Sequence, residues 1–459
     1  MKNALPYVLF FISLISFAQC PNTDIYLETQ ADVDDFAINY PNCTTLVNAL
    51  WIGTEPNNIT NVDGLNPITS AQDIFMRHAQ VNDFSGLNNL EEARDLSFGY
   101  NNSMLDLQGL TSLQTVVRLH VFSSSSILSL AGMDSLEAIE NITLFMNSAL
   151  TDISQLSFLE NVNSLDISNN ALVSLSGLEN LQTVAENMEI SNELVENFND
   201  LESIEAIGGS LIVTSNLELT DITAFYQIVS LGSLFVLGSP LLSNFAGLEN
   251  IQSINGRLRI GFNSALTDLS VFSNLNSVGN LDIYDNDNLI SLSGLENLQL
   301  ISNRLLLNRN ISLVDIDAIS NLSTSQINEV DIVNNSNLAI CNNQFICTVI
   351  ADPSVVKSIY NNDVGCSTFS ELESSCLLGI SDTDLNKSVA LYPNPVSEFL
   401  QISVFGGFAI KRIAVFSILG EQLITSTNKR VSFSGLANGI YFVEITTNKG
   451  GLTKKVIKE

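Results

Sequence analysis

NSALTD stands at Asn147–Asp152 and returns, letter for letter, at Asn263–Asp268. Each copy is followed by a longer echo, SLSGLENLQ, at Ser174–Gln182 and at Ser291–Gln299. The two copies lie 116 positions apart, and the interval is filled with worn versions of one pattern: an apolar residue, another two positions on, and an asparagine five positions on. The pattern starts at Leu96, Ile142, Leu165, Leu211, Leu258, Leu281, Leu305 and Val330, with degenerate starts at Leu50, Ile74, Leu119, Met188 and Leu234. That makes thirteen starts, 22 to 25 residues apart, and sets the NSALTD copies five turns of about 23 residues from each other. A period of this size predicts a solenoid, because one turn is too small to bury its own core and must stack on its neighbours.

The chemistry of a turn is readable. Leu281-Asp282-Ile283 alternates like a short strand with one face inward. The fifth position holds Asn101, Asn147, Asn170, Asn216, Asn263, Asn286, Asn310 and Asn335, with Ser124, Ser239 and Glu193 as exceptions. An amide both donates and accepts, so stacked copies are expected to form a ladder joining each coil to the next. The second half of the turn places apolar residues every third position, as in Leu289, Leu292, Leu295, Leu298 and Ile301. That spacing suits 3₁₀-like or extended segments better than an α-helix. The fold class expected is mainly β: a single-stack solenoid followed by a small antiparallel β-sandwich.

The chain of 459 residues carries a formal net charge of −31. From Val389 onward eight Lys/Arg face four Asp/Glu, so the remainder carries −31 − 4 = −35. So acidic a surface repels nucleic acid and anionic lipid. Residues 1–18 read as a signal peptide, with Lys2, an apolar run Leu5–Phe17 and small residues Ser16 and Ala18 before the cut. Gln19 before Cys20 disfavours lipidation, and no transmembrane segment is expected in the mature form. In an exported chain the six cysteines read as disulfides at the two ends. Cys20 is expected to pair with Cys43, while Cys341, Cys347, Cys366 and Cys376 leave three connectivities open. Zinc is the rival for that last group, but no C-x-x-C pair supports it. The expected division is an N-terminal cap at 19–48, repeats at 49–340, a cysteine-rich cap at 341–376, a linker at 377–388 and a tail domain at 389–459. Thr29 with Asp32, and Thr368 with Glu371, mark the starts of capping helices.

Phrases such as Gly247-Leu248-Glu249-Asn250-Ile251-Gln252-Ser253-Ile254 running into Leu258-Arg259-Ile260 resemble the leucine-rich-repeat superfamily. More closely they resemble the receptor L domain, with bacterial internalins as a near alternative. The resemblance implies a right-handed β-helical stack. The tail resembles the type A C-terminal sorting domain of the type IX secretion system. LYPNP at Leu391–Pro395, ILGE at Ile418–Glu421, LANGIYFVEI at Leu436–Ile445 and KKVIK at Lys454–Lys458 carry that match. It implies export through the Sec pathway, recognition by the outer-membrane translocon, and display on or release from the surface of a Gram-negative bacterium.

Nothing in the sequence assembles a catalytic constellation. His78 and His120 fall on different turns, and no H-E-x-x-H, G-x-S-x-G or phosphate loop occurs. No enzymatic activity, cofactor or metal is expected. The rival is a β-helical polysaccharide lyase or hydrolase, against which the scarcity of lysine counts: Lys357 is the single lysine between Pro21 and Asn386. Asp282, Asp285 and Asp287 are read as solvated surface, since a Ca²⁺ loop of the EF-hand kind would need a different spacing and a glycine. Binding is the favoured class. Outward strand positions should form a flat face roughly 60 Å long at about 4.8 Å per rung. Phe122 and Phe145 share an outward column there, as do Ile212, Phe235 and Leu237 on adjoining turns, with Arg257 and Arg259 on the next turn. Aromatics beside arginine mark interface hot spots. The expected partner is an extracellular protein or glycan; a purely structural matrix or surface-layer role is the third reading.

Overall fold

The computed structural model describes residues 20–53, 58–379, 389–404, 409–447 and 450–459. The expected signal peptide at 1–18 and the linker from 380 to 388 lie outside them. The first three residues assigned to that linker, 377–379, instead end a helix, Phe369–Gly379.

The repeats build one parallel sheet whose main path follows chain order. Its strands are β1 (Ile25–Leu27), β2 (Thr45–Ile52), β3 (Ser70–Arg77), β4 (Glu92–Gly99), β5 (Thr115–Phe122), β6 (Ala138–Phe145), β7 (Ser164–Ser168) and β8 (Met188–Ser191). They continue with β9 (Ser210–Thr214), β10 (Ser233–Leu237), β11 (Ser253–Gly261), β12 (Ser277–Tyr284), β13 (Leu300–Asn308), β14 (Glu329–Val333) and β15 (Val356–Tyr360). All thirteen pattern starts pair in a single column, from Leu50 through Leu281 to Val330. Ile25 and Lys357 extend the column at its two ends, so the caps supply rungs of their own. The period thus fixes the register, and with it which side chains face the core.

The echoed phrase explains the return path. In SLSGLENLQ the leucines Leu175, Leu178 and Leu181 are fully buried, as are Leu292, Leu295 and Leu298. Gly177 and Gly294 sit at φ 112° and 109°, and a Cβ there would fall 2.3 and 2.0 Å from the carbonyl oxygens of Ile153 and Leu269 on the preceding coil. Only glycine permits both that conformation and that approach. Glu179 and Glu296 close the bend by accepting the Gly177 and Gly294 N–H groups at 2.9 and 2.8 Å. Asn180 and Asn297 then donate to carbonyls of the preceding coil, Ser157 and Ser273, each at 2.8 Å. On other turns the same job falls to short 3₁₀ segments such as Ser154–Leu156 and Asp317–Ile319.

The inward amides are fully buried except Asn170, which is nearly so. Asn286 is representative. Its Oδ1 accepts the Asn263 N–H at 3.2 Å, and its Nδ2 donates to the carbonyls of Ile260 (3.2 Å) and Tyr284 (3.0 Å) and to Asn310 Oδ1 (3.1 Å). The chain of amides ends at Asn362, whose Oδ1 accepts from Asn335. Just before each ladder position the backbone turns a left-handed corner. Twelve non-glycine residues from His78 to Asn361 have φ between 50° and 61°, with Gly238 the one glycine in the series. Such a corner costs roughly 1–2 kcal/mol for a residue with a side chain. It persists because two bonds hold it. In the coil of Ser123, for instance, the corner N–H donates to the Phe145 carbonyl at 2.9 Å, and the following N–H, that of Ser124, donates to Asn147 Oδ1 at 3.1 Å.

Glu193 replaces the amide on one rung. Its carboxylate accepts the Asn170 N–H (2.8 Å), the Asn170 Nδ2 (3.0 Å) and the Leu172 N–H (3.0 Å). Burial nevertheless raises its pKa above the ordinary value of 4.5, against the pull of those donors, and the negative charge of Asp166 adds to the rise. A folded-state pKa that is raised contributes stability below the unfolded value and loses it as pH climbs through the folded one. Relative to Glu193→Asn, the wild-type thermal midpoint is therefore expected to be higher at pH 4 than at pH 7. Scanning calorimetry of both proteins at the two values measures the difference, and parallel midpoints would contradict the assignment.

Both ends are closed. Thr29 and Asp32 form a reciprocal capping box on α1 (Gln30–Asp34), and α2 (Phe36–Asn39) follows, with Val33 and Phe36 buried. At the far end α3 (Gln344–Ala351) and α4 (Phe369–Gly379) cover the last coils. Lys357 takes the pattern-start position on β15 and turns its ammonium onto the C-terminal carbonyls of α3: Val349 (2.9 Å), Ile350 (3.3 Å) and Asp352. A cation there complements the helix dipole. The bridges are Cys20–Cys43, Cys341–Cys366 and Cys347–Cys376.

The tail forms two antiparallel sheets. One joins Val389–Tyr392, Phe399–Val404 and Arg430–Ser432; the other joins Gln422–Ser426, Ile410–Ser417, Gly439–Thr447 and Gly450–Lys458. Val396, Leu400, Ile413, Val415, Phe433, Val443 and Val456 belong to their common core, which shares no residue with the core of the solenoid.

Candidate functional site

The residues one and three positions past each pattern start form two columns on the open face of the sheet. In chain order their character changes in three stages, because the register carries each residue to within one rung of its counterpart about 23 positions away.

The first stage is aromatic and cationic. Tyr26, Trp51 and Phe75 are consecutive in one column. The Tyr26 and Trp51 rings stack at 6.3 Å with 7° between planes, and Trp51 lies 4.3 Å from Phe75. Arg77 sits over two rings, 5.8 Å from Trp51 and 5.4 Å from Phe122, in cation–π range. Phe122 lies across Gly99, where a Cβ would come within 2.2 Å of its Cζ. His78 and Tyr100, two left-handed corner residues, stack at 4.8 Å on the rim, and Tyr100 meets Phe122 edge-on at 5.5 Å. Phe145 follows Phe122 in its column and is 36% exposed. Phe75, Arg77, Asp95, Ser97, His120 and Phe122 line an open depression of about 240 Å³.

The second stage is acidic and hydroxylic. Asp166 and Glu189 are register partners. Burial raises the pKa of each; the hydroxyls of Ser168 and Ser191, which donate to them, oppose the rise. His120 also lowers that of Asp166.

The third stage holds the remaining residues named from sequence. Ile212 pairs in register with Phe235, and Phe235 with Arg259; Leu237 lies two positions on from Phe235, and all are half-buried. Here the sequence reading needs two corrections. Asp282 is not solvated: it is fully buried. Arg257 and Arg259 are not free cations on that face: about one-third exposed, both are tied to Asp282, the register partner of Arg259. Their Nε and Nη2 stand 3.4 and 3.2 Å from Asp282 Oδ2. A buried carboxylate without a counter-ion costs several kcal/mol, so the two guanidinium groups fold back onto it. Arg304 behaves alike, meeting Asp331 at 2.7 Å and Glu329 at 3.4 Å. Tyr284 lies across Gly261, 5.9 Å from Arg259, as Phe122 lies across Gly99.

Sequence reasoning passed over Tyr26, Trp51, Phe75, Arg77 and Tyr100. The signal for two of them was present: Trp51 and Phe75 directly follow the degenerate starts Leu50 and Ile74. Among the described residues no helix is long and apolar enough to cross a membrane, and no three His, Cys, Asp or Glu converge as metal ligands.

Residues 390–459 match the family described as the secretion system C-terminal sorting domain. The tail is thus a type IX sorting domain, and the protein is a secreted or surface-displayed repeat protein of a Gram-negative bacterium. No curated protein matches the chain. Among solved structures it is similar to an internalin, InlF, from Listeria monocytogenes, at 19% identity and TM-score 0.41, covering 75% of this chain and 86% of that one. It is also similar to TLR13 in its complex with ssRNA13 (16%, TM-score 0.47, 77% and 53%). A third likeness is a leucine-rich repeat protein from Bacteroides ovatus (13%, TM-score 0.19, 69% and 84%). The fold itself rests on the strand register above.

Proposed function

We propose that this type IX cargo is a non-enzymatic recognition or adhesion protein that binds an extracellular ligand on the open face of its solenoid. One observation carries the reading: the aromatic–arginine cluster of Trp51, Phe75, Arg77 and Phe122 around an open depression on β3 to β5. A merely solvated face has no use for four such side chains in adjacent columns, and clustered Trp, Phe and Arg supply most of the energy at interfaces. The test uses beads coated with the purified protein, presented to surfaces bearing mucin, yeast mannan or fibronectin. Adhesion to at least one is expected, falling at least tenfold in a Phe122→Ser, Phe145→Ser variant with an unchanged thermal midpoint. Equal adhesion by that variant, or none by the wild type, would overturn the reading.

A second reading, a polysaccharide-active enzyme, is favoured by the neighbouring carboxyls of Asp166 and Glu189 with their raised pKa values. New reducing ends released from a polysaccharide by wild type and not by Asp166→Asn would replace the binding reading with this one.

A further inference from the structure

We propose that the depression around Ser97 is a sugar subsite that takes one neutral pyranose ring of a glycan. The proposal rests on the recognition reading above and names its ligand class. On β4 the outward residue Ser97 is small, while its register partners, Phe75 on β3 and His120 on β5, are large. The Phe122 ring covers Gly99, so the trough is confined to the surroundings of Ser97, with Phe122 as one wall. Its volume of about 240 Å³ falls below the roughly 300–1,000 Å³ of pockets for drug-sized ligands, which suits one ring rather than an enclosed oligomer.

The polar groups select the ligand further. Asp95 lines the trough and is only 7% exposed. Arg118 Nε meets its Oδ2 at 3.0 Å, but Oδ1 has no hydrogen-bond partner among the described residues. Leaving such an oxygen unmatched costs about 1–3 kcal/mol or more; Oδ1 is closed to solvent as it stands, so a donor in the trough gains it by drawing the carboxylate round toward itself. A cationic donor is disfavoured, because Arg118 already balances Asp95 and Arg77 lines the same trough. An anionic polymer is repelled by the −35 carried by the chain before Val389. A neutral hydroxyl remains. It donates to Asp95 and accepts from a guanidinium, imidazole or Ser97 hydroxyl in the same trough. Phe75 and Phe122 line the trough and give it apolar ring surface against which the C–H bonds of a sugar ring pack. An apolar side chain from a protein partner would fill the space and leave Oδ1 unmatched.

Trp51 is the one tryptophan in the chain, 4.3 Å from Phe75 and 5.8 Å from Arg77, so its emission reports on the trough. The experiment titrates the purified protein with cellohexaose, mannohexaose, chitohexaose and maltohexaose, and with oligogalacturonate as an anionic probe. A saturable change in Trp51 emission is expected with at least one neutral hexasaccharide. Affinity should drop at least tenfold in Ser97→Tyr, which fills the trough, and in Phe122→Ala, which removes a wall and guards against misfolding of the first variant. Silence with all four neutral sugars, a response to oligogalacturonate alone, or a response that survives both variants would each overturn the subsite. If the sugars are silent while adhesion to fibronectin is kept and is lost in Phe122→Ser, Phe145→Ser, the ligand is a protein and the recognition reading stands. If adhesion is absent everywhere as well, that reading falls too.

Discussion

Replacing Asn286 by leucine is expected to destabilise the solenoid by about 2–4 kcal/mol, although leucine is the more apolar residue at a fully buried position. The substitution removes the acceptor of the Asn263 N–H and the donor to the Ile260 carbonyl, both on the preceding coil. Each buried group left unmatched costs roughly 1–3 kcal/mol, whereas the added apolar burial returns about 1.5–3 kcal/mol at most. Crowding subtracts from that return, because the leucine side chain must branch where a planar amide lay flat between two coils. At the left-handed corner of Asp285 the Nδ2 bond to the Tyr284 carbonyl is lost as well, while the backbone N–H of position 286 keeps its acceptor, Asn310 Oδ1. Thermal unfolding of Asn286→Leu beside Asp287→Leu, an exposed neighbour, separates the ladder effect from a general effect of leucine. The first midpoint should fall by several degrees and the second should hardly move. Equal midpoints would mean that the coils are joined by strand pairing and apolar packing alone.

Deleting residues 389–459 is expected to abolish appearance of the protein outside the cell while leaving the repeat array folded in the periplasm. The two cores share no residue, so the array keeps its hydrophobic core without the tail. The tail match spans residues 390–459, nearly the whole deleted segment. Immunoblots of medium, outer membrane and periplasm measure the outcome, and a non-reducing gel checks the Cys20–Cys43, Cys341–Cys366 and Cys347–Cys376 bridges of the trapped form. Fusing 389–459 to an unrelated exported passenger should carry that passenger outward. Unchanged extracellular amounts after the deletion would remove the sorting role.

Much of the site was legible as columns and little of it as contacts. The repeat period identifies which residues stand beside each other, since a neighbour across the sheet is simply the residue about 23 positions away. Phe122 beside Phe145, and Phe235 beside Arg259, follow from that arithmetic. It does not say where a long side chain turns. Arg257 and Arg259 looked like a free outward pair, and a single buried carboxylate, Asp282, ties down both. The corners held by His78, Tyr100 and Phe262 were equally hidden, because such residues seldom adopt a left-handed conformation and nothing local marks them. The end strands β1 and β15 were missed as rungs for another reason. After β1 the chain enters the helix Gln30–Asp34 where other rungs carry their asparagine, and on β15 Lys357 stands where every earlier rung has an apolar residue.

The sequence by itself determined that the chain coils about thirteen times, that an inward amide recurs on most turns, and that the tail is a separate basic β-domain addressed to an export machine. Those are properties of period and motif, which stacking translates directly into space. Only the tertiary structure decided that Phe75, Arg77 and Phe122 converge on a trough beside Trp51, that Asp95 lines it with one oxygen unmatched, and that the arginines farther along pair with carboxylates of the next coil. Rotamer choice, desolvation and the balance of charge between coils make those decisions, and they depend on residues one or two turns away rather than on any local stretch of sequence.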